Sequence, residues 1–385
     1  MAHASRWLIL PALALVVAAL IAPLLLVLAT ALRDPELRAT LPQTAVLLRA
    51  WDGQGLPGED VFATIATELR RADEEQAIGG LAQRLNFERT GLRGLLIRTA
   101  AAQPAAPYAM ALPAIHPGWS DPDTWRVLRR AAIGVTPLYL LRAVDLDLTP
   151  AGDVRPVPAR EAIFLPLFGR TFLIAAAVTA ICLLLAYPVA WAIATLRPRW
   201  ARLALMAVLV PFWISIIVRT TAWFVLLQRE GPVNAALLAL GLVEAPVQIM
   251  FTRFAVLLAM VHVLLPFAVL PLVAVMRRVD PRLMRAAASL GAPGWLAFVR
   301  VYLPLTLPGV RAGGLIVFML ACGFYITPAL MGGGGDQMVG AFIAEYATAS
   351  LNWGMAAALA VLLTAGVALT VLAGRMAARA FGRPA

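Results

Sequence analysis

Residues 277–309 read RRVDPRLMRAAASLGAPGWLAFVRVYLPLTLPG. Apolar runs of membrane-spanning length flank this stretch, 254–276 before it and 309–331 after it, so it is a polar hairpin between two spans. Pro281 suits the first turn of a helix, where a missing N–H costs nothing, and Asp280 before it can cap. Leu283, Ala287 and Leu290 fall on one helical face, with Arg278, Arg282 and Arg285 on another side. Gly291, Pro293 and Gly294 end the helix. A second short helix can run from about Trp295 to Tyr302, with Pro304 preceding the return to the membrane. The expectation is a helix–turn–helix on the cytoplasmic surface whose small alanine face lets a partner approach. A hairpin that only connects two spans carries the same pattern.

Working outward, a bilayer core about 30 Å thick needs roughly 20 apolar residues in a helix. Six segments qualify: 8–31, 169–196, 203–227, 254–276, 309–331 and 353–374. The chain has 385 residues, 61% hydrophobic and 14% charged, which excludes a soluble enzyme, a disordered chain and a small disulfide scaffold. Every one of its 32 basic residues is arginine. Without lysine there is no Walker A phosphate-binding lysine and no Schiff-base chemistry, so ATP-driven work must be powered by another chain. Cys182 and Cys322 lie in apolar runs, and His3, His116 and His262 are scattered, so no metal-ligand spacing exists.

The arginines orient the spans. Segments 1–7, 197–202, 277–308 and 375–385 hold 12 arginines against one acid, Asp280. Segments 228–253 and 332–352 hold only Arg229 and Arg253 against Glu230, Glu244, Asp336 and Glu345. The bias predicts that both termini are cytoplasmic. It also accounts for the formal net charge of +11 without nucleic acid. Ala29-Thr30-Ala31 resembles a signal cleavage site, but 24 uncharged residues exceed a signal peptide's apolar core, so an uncleaved first helix is expected.

Residues 33–165 balance 15 arginines against 16 acids and form an extracytoplasmic (periplasmic) region. Val61, Ile65 and Leu69 predict an amphipathic helix over Asp60 to Ala72, and Leu92, Leu95 and Leu96 suggest another. Ser120, Asp121 and Pro122 introduce a third over Trp125 to Ala132. Trp51, Trp119 and Trp125 can anchor a small core, and no catalytic motif is present. The remaining divisions are an N-terminal helix over 1–32, a permease domain over 166–375 and a cytoplasmic tail over 376–385.

The hairpin resembles the EAA motif of binding-protein-dependent ABC importer permeases: Glu-Ala-Ala, three residues, Gly, nine residues, Ile-x-Leu-Pro. Ala286, Ala287 and Gly291 match, and Val301, Tyr302, Leu303 and Pro304 follow at the right distance. Val301 replaces isoleucine, and Arg285 replaces the glutamate with reversed charge. Val210-Pro211-Phe212-Trp213 with Arg219, the stretch Gly323 to Gly333, and Leu351-Asn352-Trp353-Gly354 look like the spermidine/putrescine group, its PotB-like subfamily above all. The resemblance covers about 166–375 and implies an all-α membrane protein with six helices of the type I permease fold. The 33–165 region is then a large, mostly helical insertion after the first helix. The resemblance further implies a bacterial inner-membrane location, a second, PotC-like permease subunit and two cytoplasmic ATPase copies that bind ATP and Mg. A periplasmic binding protein would deliver the solute. The chain itself would hold no cofactor, no metal and no catalytic residue. Arg285, Ala286, Ala287, Gly291, Val301, Leu303 and Pro304 would form the loop that couples to the ATPase.

A polyamine needs carboxylates for its ammonium groups and aromatic faces for cation–π contact. Asp336, Glu345, Trp213, Trp223, Phe324, Tyr325 and Tyr346 are the candidates, and each also fits an ordinary surface acid or interfacial anchor. Asp336 follows Gly332–Gly335, a flexible stretch that could move as a gate. Arg219, inside a span, should face a cavity or partner, whereas His262 fits a packing residue. Where the polyamine group carries an acid just before Leu-Met-Gly-Gly, this chain has Thr327, Pro328 and Ala329, so iron or another small solute also fits. Gly309 and Gly313 make a GxxxG. A membrane enzyme would need clustered polar residues. A receptor would act through 33–165, and an ion-coupled carrier would show more intramembrane carboxylates.

Overall fold

The structure, a computed structural model, describes residues 4–381; His3 and tail residues 382–385 lie outside the described residues. The helices in order are α1 (Ala4–Leu32), α2 (Glu36–Thr40), α3 (Pro42–Ala50), α4 (Glu59–Glu74), α5 (Ile78–Glu88), α6 (Leu92–Ala102), α7 (Tyr108–Ile115), α8 (Pro122–Ile133) and α9 (Leu138–Arg142). A two-stranded antiparallel ribbon follows, β1 (Leu146–Leu148) and β2 (Val154–Pro156). Then come α10 (Phe164–Thr195), α11 (Pro198–Leu209), α12 (Ile216–Leu227), α13 (Pro232–Ala239) and α14 (Arg253–Met276). The chain closes with α15 (Pro281–Ser289), α16 (Gly294–Ala297), α17 (Leu303–Cys322), α18 (Ile326–Met331), α19 (Val339–Thr348) and α20 (Trp353–Phe381). Among the described residues five helices are long and apolar enough to cross a membrane, six if one bent pair counts as a single span.

Two compact units divide the chain, residues 1–165 with 345–362, and 166–344 with 363–385. In the first, α3 to α8 enclose a core in which Trp119 and Trp125 are fully buried with rings 5.0 Å apart. Both indole N–H groups find acceptors, Thr99 Oγ1 at 2.8 Å and the Trp119 carbonyl at 2.9 Å, so neither ring leaves a buried donor unpaired. The three amphipathic patterns in the insert appear as α4, α6 and α8, and Asp121 caps α8 by accepting from the Asp123 amide. The insert grips α1 directly: Thr136 donates to the Leu32 carbonyl at 2.8 Å and Asp34 to the Gly134 carbonyl at 3.1 Å. Beneath this joint, Arg84 bridges Asp34 and Glu88, and Glu88 also holds Arg130. The Arg84 guanidinium lies 5.3 Å over the Tyr139 ring. Burial pushes the Asp34 carboxyl up to about 6 against the pull of Arg84.

In the second unit, α14 is the most buried span and α17 lies against it. Side chains are missing where the backbones meet. A Cβ on Gly309 would come 3.2 Å from the Leu272 Cα, and one on Gly313 3.0 Å from the Ala268 carbonyl oxygen.

Two spans differ from the sequence reading. The segment 203–227 is not one straight helix. Pro198–Trp213 and Ile216–Ala239 meet at 95°. Pro211 tightens the end of the first piece into a 3₁₀ turn, and extended Ile214 and Ser215 break the helical hydrogen bonding. The segment 309–331 is shifted. Here α17 begins at Leu303 and stops at Gly323, and Ile326–Met331 is a separate short helix. Helix α17 runs through Pro304 because a π-turn over Phe298–Tyr302 precedes it and puts the proline in its first turn.

Candidate coupling loop and translocation pathway

Asp280 accepts from the Arg282 amide at 2.9 Å, and Pro281 occupies the first turn of α15. No residue of α15 is buried. Gly291 takes a φ of +81°, a left-handed turn that a Cβ would strain although no atom lies within 4 Å to collide with it. Leu290 is 89% exposed and Trp295 69%, so the hairpin presents apolar side chains without cover. Of the seven loop residues named from sequence, Arg285, Ala286, Gly291 and Pro304 are exposed, and Ala287, Val301 and Leu303 are half-buried. Arg285 has no ion-pair partner among the described residues.

The far limb of the hairpin is continuous with a span. α16 passes through the π-turn into α17 without a loop. The Phe298 ring stacks on Tyr302 at 5.8 Å and meets Tyr187 of α10 edge-on at 6.0 Å. Tyr187 also shares a 2.9 Å hydrogen bond with Thr306. The hairpin therefore touches α10 as well as continuing into α17.

Of the pathway candidates, Trp213 is 84% exposed at the break between α11 and α12. Arg219 is half-buried, and its Nε has no hydrogen-bond partner among the described residues. One turn away, Trp223 donates to His262 Nδ1 at 3.1 Å, and Thr220 bonds Thr327 at 3.1 Å, so α12, α14 and α18 meet through polar contacts. His262 is thus a packed side chain whose Nδ1 is satisfied by Trp223. Tyr325 is exposed and Phe324 half-buried beside it.

Asp336 is 8% exposed and is held by Arg253 Nε at 2.9 Å, whose own side chain is 51% exposed. The glycine run before it is pinned, not a free tether. Phe251 donates its amide to the Met331 carbonyl at 3.0 Å, and Arg170 donates to the Gly334 carbonyl at 3.3 Å. A Cβ on Gly332 would lie 2.6 Å from the Pro328 oxygen, and one on Gly333 2.9 Å from the Phe251 oxygen. These two glycines serve close backbone approach; Gly334 and Gly335 face open space. Arg253 counted in the sequence only as a loop charge. The signal for it was Thr252, which caps α14 and fixes where the arginine emerges.

Glu345 and Tyr346 fall in the other compact unit. Glu345 is exposed. The Tyr346 ring meets Phe87 edge-on at 6.4 Å. Burial and then Glu345 push its phenol up, against Arg142. No group of three or more His, Cys, Asp or Glu side chains able to hold a metal occurs among the described residues.

No family model matches the chain. It is 38% identical over 193 residues to the spermidine/putrescine transport system permease protein PotB of Haemophilus influenzae, covering 50% of this chain and 68% of that protein. PotB of Escherichia coli K12 is 37% identical over 194 residues, covering 50% of this chain and 70% of that one. A crystal structure of a bacterial alginate ABC transporter in complex with its alginate pentasaccharide-bound periplasmic protein aligns with a TM-score of 0.50 at 18% identity. It covers 57% of this chain and 79% of that one, and it supports the type I permease fold.

Proposed function

This chain belongs to the PotB-type family of ABC importer permeases, multi-pass proteins of the inner membrane, and from that premise we propose that it imports a polyamine such as spermidine or putrescine. It works as a transport subunit. In the proposed assembly it pairs with a PotC-like permease and with two ATPase copies that bind ATP and Mg, and a periplasmic binding protein delivers the solute. Both termini face the cytoplasm, and residues 33–165 lie outside. The domain limits follow: 1–32, 33–165, 166–375 with the coupling loop 277–308, and the tail from 376.

The observation that carries this reading is the uncovered hairpin 280–304, apolar at Leu290 and Trp295 and continuous with α17. A groove on the ATPase covers it, and closure of the ATPase dimer moves it as a lever between inward-open and outward-open states. Arg285 then meets an acid of the ATPase where relatives present a glutamate.

The polyamine assignment is supported by the names of the relatives and by Asp336. Its carboxylate is already half of an ion pair, so an arriving ammonium exchanges with Arg253 rather than filling an empty acid. Tyr325, Phe324 and Trp213 supply aromatic faces for the chain of the cation.

The test is uptake of labelled spermidine into proteoliposomes holding the complete importer. ATP- and binding-protein-dependent uptake, lost with Gly291→Trp while the chain still inserts, supports both parts. Normal uptake by Gly291→Trp sinks the coupling assignment. An importer that ignores both polyamines but carries a carboxylate-bearing solute moves the recognition role to Arg219.

A further inference from the structure

We infer that the groove walled by α10, α17 and α20 binds an anionic phospholipid, with an acyl chain along the groove and the phosphate on Arg311 and Arg375. The groove has a volume of about 850 Å³, within the usual range for a ligand site. Ala180, Gly314, Leu315 and Phe318 line it, small residues giving width and large ones an apolar wall. Its two threonines, Thr179 and Thr370, already donate their hydroxyls to carbonyls of their own helices, Ala175 at 2.7 Å and Gly366 at 2.9 Å. The polar chemistry left in the groove is two guanidinium groups.

Neither Arg311 nor Arg375 has a hydrogen-bond or ion-pair partner among the described residues. None of the three helices carries an acid. Arg311 lies within an apolar run and Arg375 at the end of one, and the cost of an unanswered arginine there falls when its apolar stem lies in lipid and its head meets an anion. A phosphodiester accepts the planar fork of an arginine in pairs of hydrogen bonds, and two arginines facing one groove match one phosphate. Basic pockets between membrane helices take anionic headgroups on this principle. The inference is independent of which solute the importer carries.

The test uses the complete importer reconstituted in discs of mixed phosphatidylcholine and phosphatidylglycerol, with retained lipid measured by native mass spectrometry after detergent extraction. The wild type should keep phosphatidylglycerol over phosphatidylcholine. R311Q or R375Q should cut that preference about fivefold, and both together about thirtyfold, from roughly 1 kcal/mol per arginine. R311K with R375K keeps the charge and should keep most of the lipid, which separates binding from misfolding. Excess inorganic phosphate should displace nothing, because the acyl chain holds the lipid in place. Equal retention of both lipids by the wild type or displacement by phosphate would overturn the assignment.

Discussion

Asp336 and Arg253 form a pair in which one partner is nearly buried and the other half exposed. An ammonium that takes the carboxylate must outcompete the guanidinium. Arg253→Gln removes the competitor and should lower the KM for spermidine roughly three- to tenfold, a modest factor because the pair is partly solvated. Asp336→Asn should raise the KM by at least as much. Identical KM values in all three proteins would remove Asp336 from the pathway. Arg253 was not read as part of any site, because a loop arginine looks the same in sequence whether it meets water or an acid 83 positions away.

At the scale of elements, contact between α14 and α17 depends on absent side chains. Gly313→Leu forces a side chain against the α14 backbone, where nothing can yield, and should cost about 1–3 kcal/mol, seen as a lower unfolding temperature in detergent. Gly314→Ala is the control. Its Cβ would meet the side-chain end of Leu183 at 3.1 Å, which can swing aside, so stability should barely move. Equal losses for the two variants would contradict the packing account. GxxxG was visible in sequence, but that Gly309 and Gly313 both oppose the α14 backbone while the next residue, Gly314, meets only a flexible leucine was not. The breaks at Ile214–Ser215 and Gly323 were hidden for a related reason. Hydropathy averages over a window, whereas a helix ends at single residues whose local dihedrals lose the hydrogen-bond ladder.

At the scale of the whole molecule, the insert is held by a compact apolar core and a buried charge cluster. Trp119→Ala should destabilise the insert by about 3–5 kcal/mol, read as protease cleavage between residues 36 and 160 of the full-length protein. Resistance equal to the parent's would mean that the tryptophan pair is not the core. The cluster adds a pH dependence. Asp34 has its folded value raised above the unfolded one, so the folded state binds the extra proton. Its contribution to stability is complete below the unfolded value near 3.8 and is lost as pH rises through about 6. Asp34→Asn should flatten that part of the stability profile between roughly pH 4 and 6; an unchanged slope would assign it to other carboxylates.

Composition and span length were enough to mark a multi-span membrane protein, and the resemblance of residues 285–304 to the EAA motif pointed to the permease class. These properties are local: hydropathy sums over about 20 neighbours, and a hairpin motif is short enough to be read as spacing. The insert helices α4, α6 and α8 were legible because a period of 3.6 is written along the chain itself. Only the tertiary structure decided that Asp336 is already paired, that the glycine run is pinned and that His262 accepts from Trp223. It alone brought Arg311 and Arg375 to one groove. Each of these joins residues on different helices, and no linear pattern records which helix faces which.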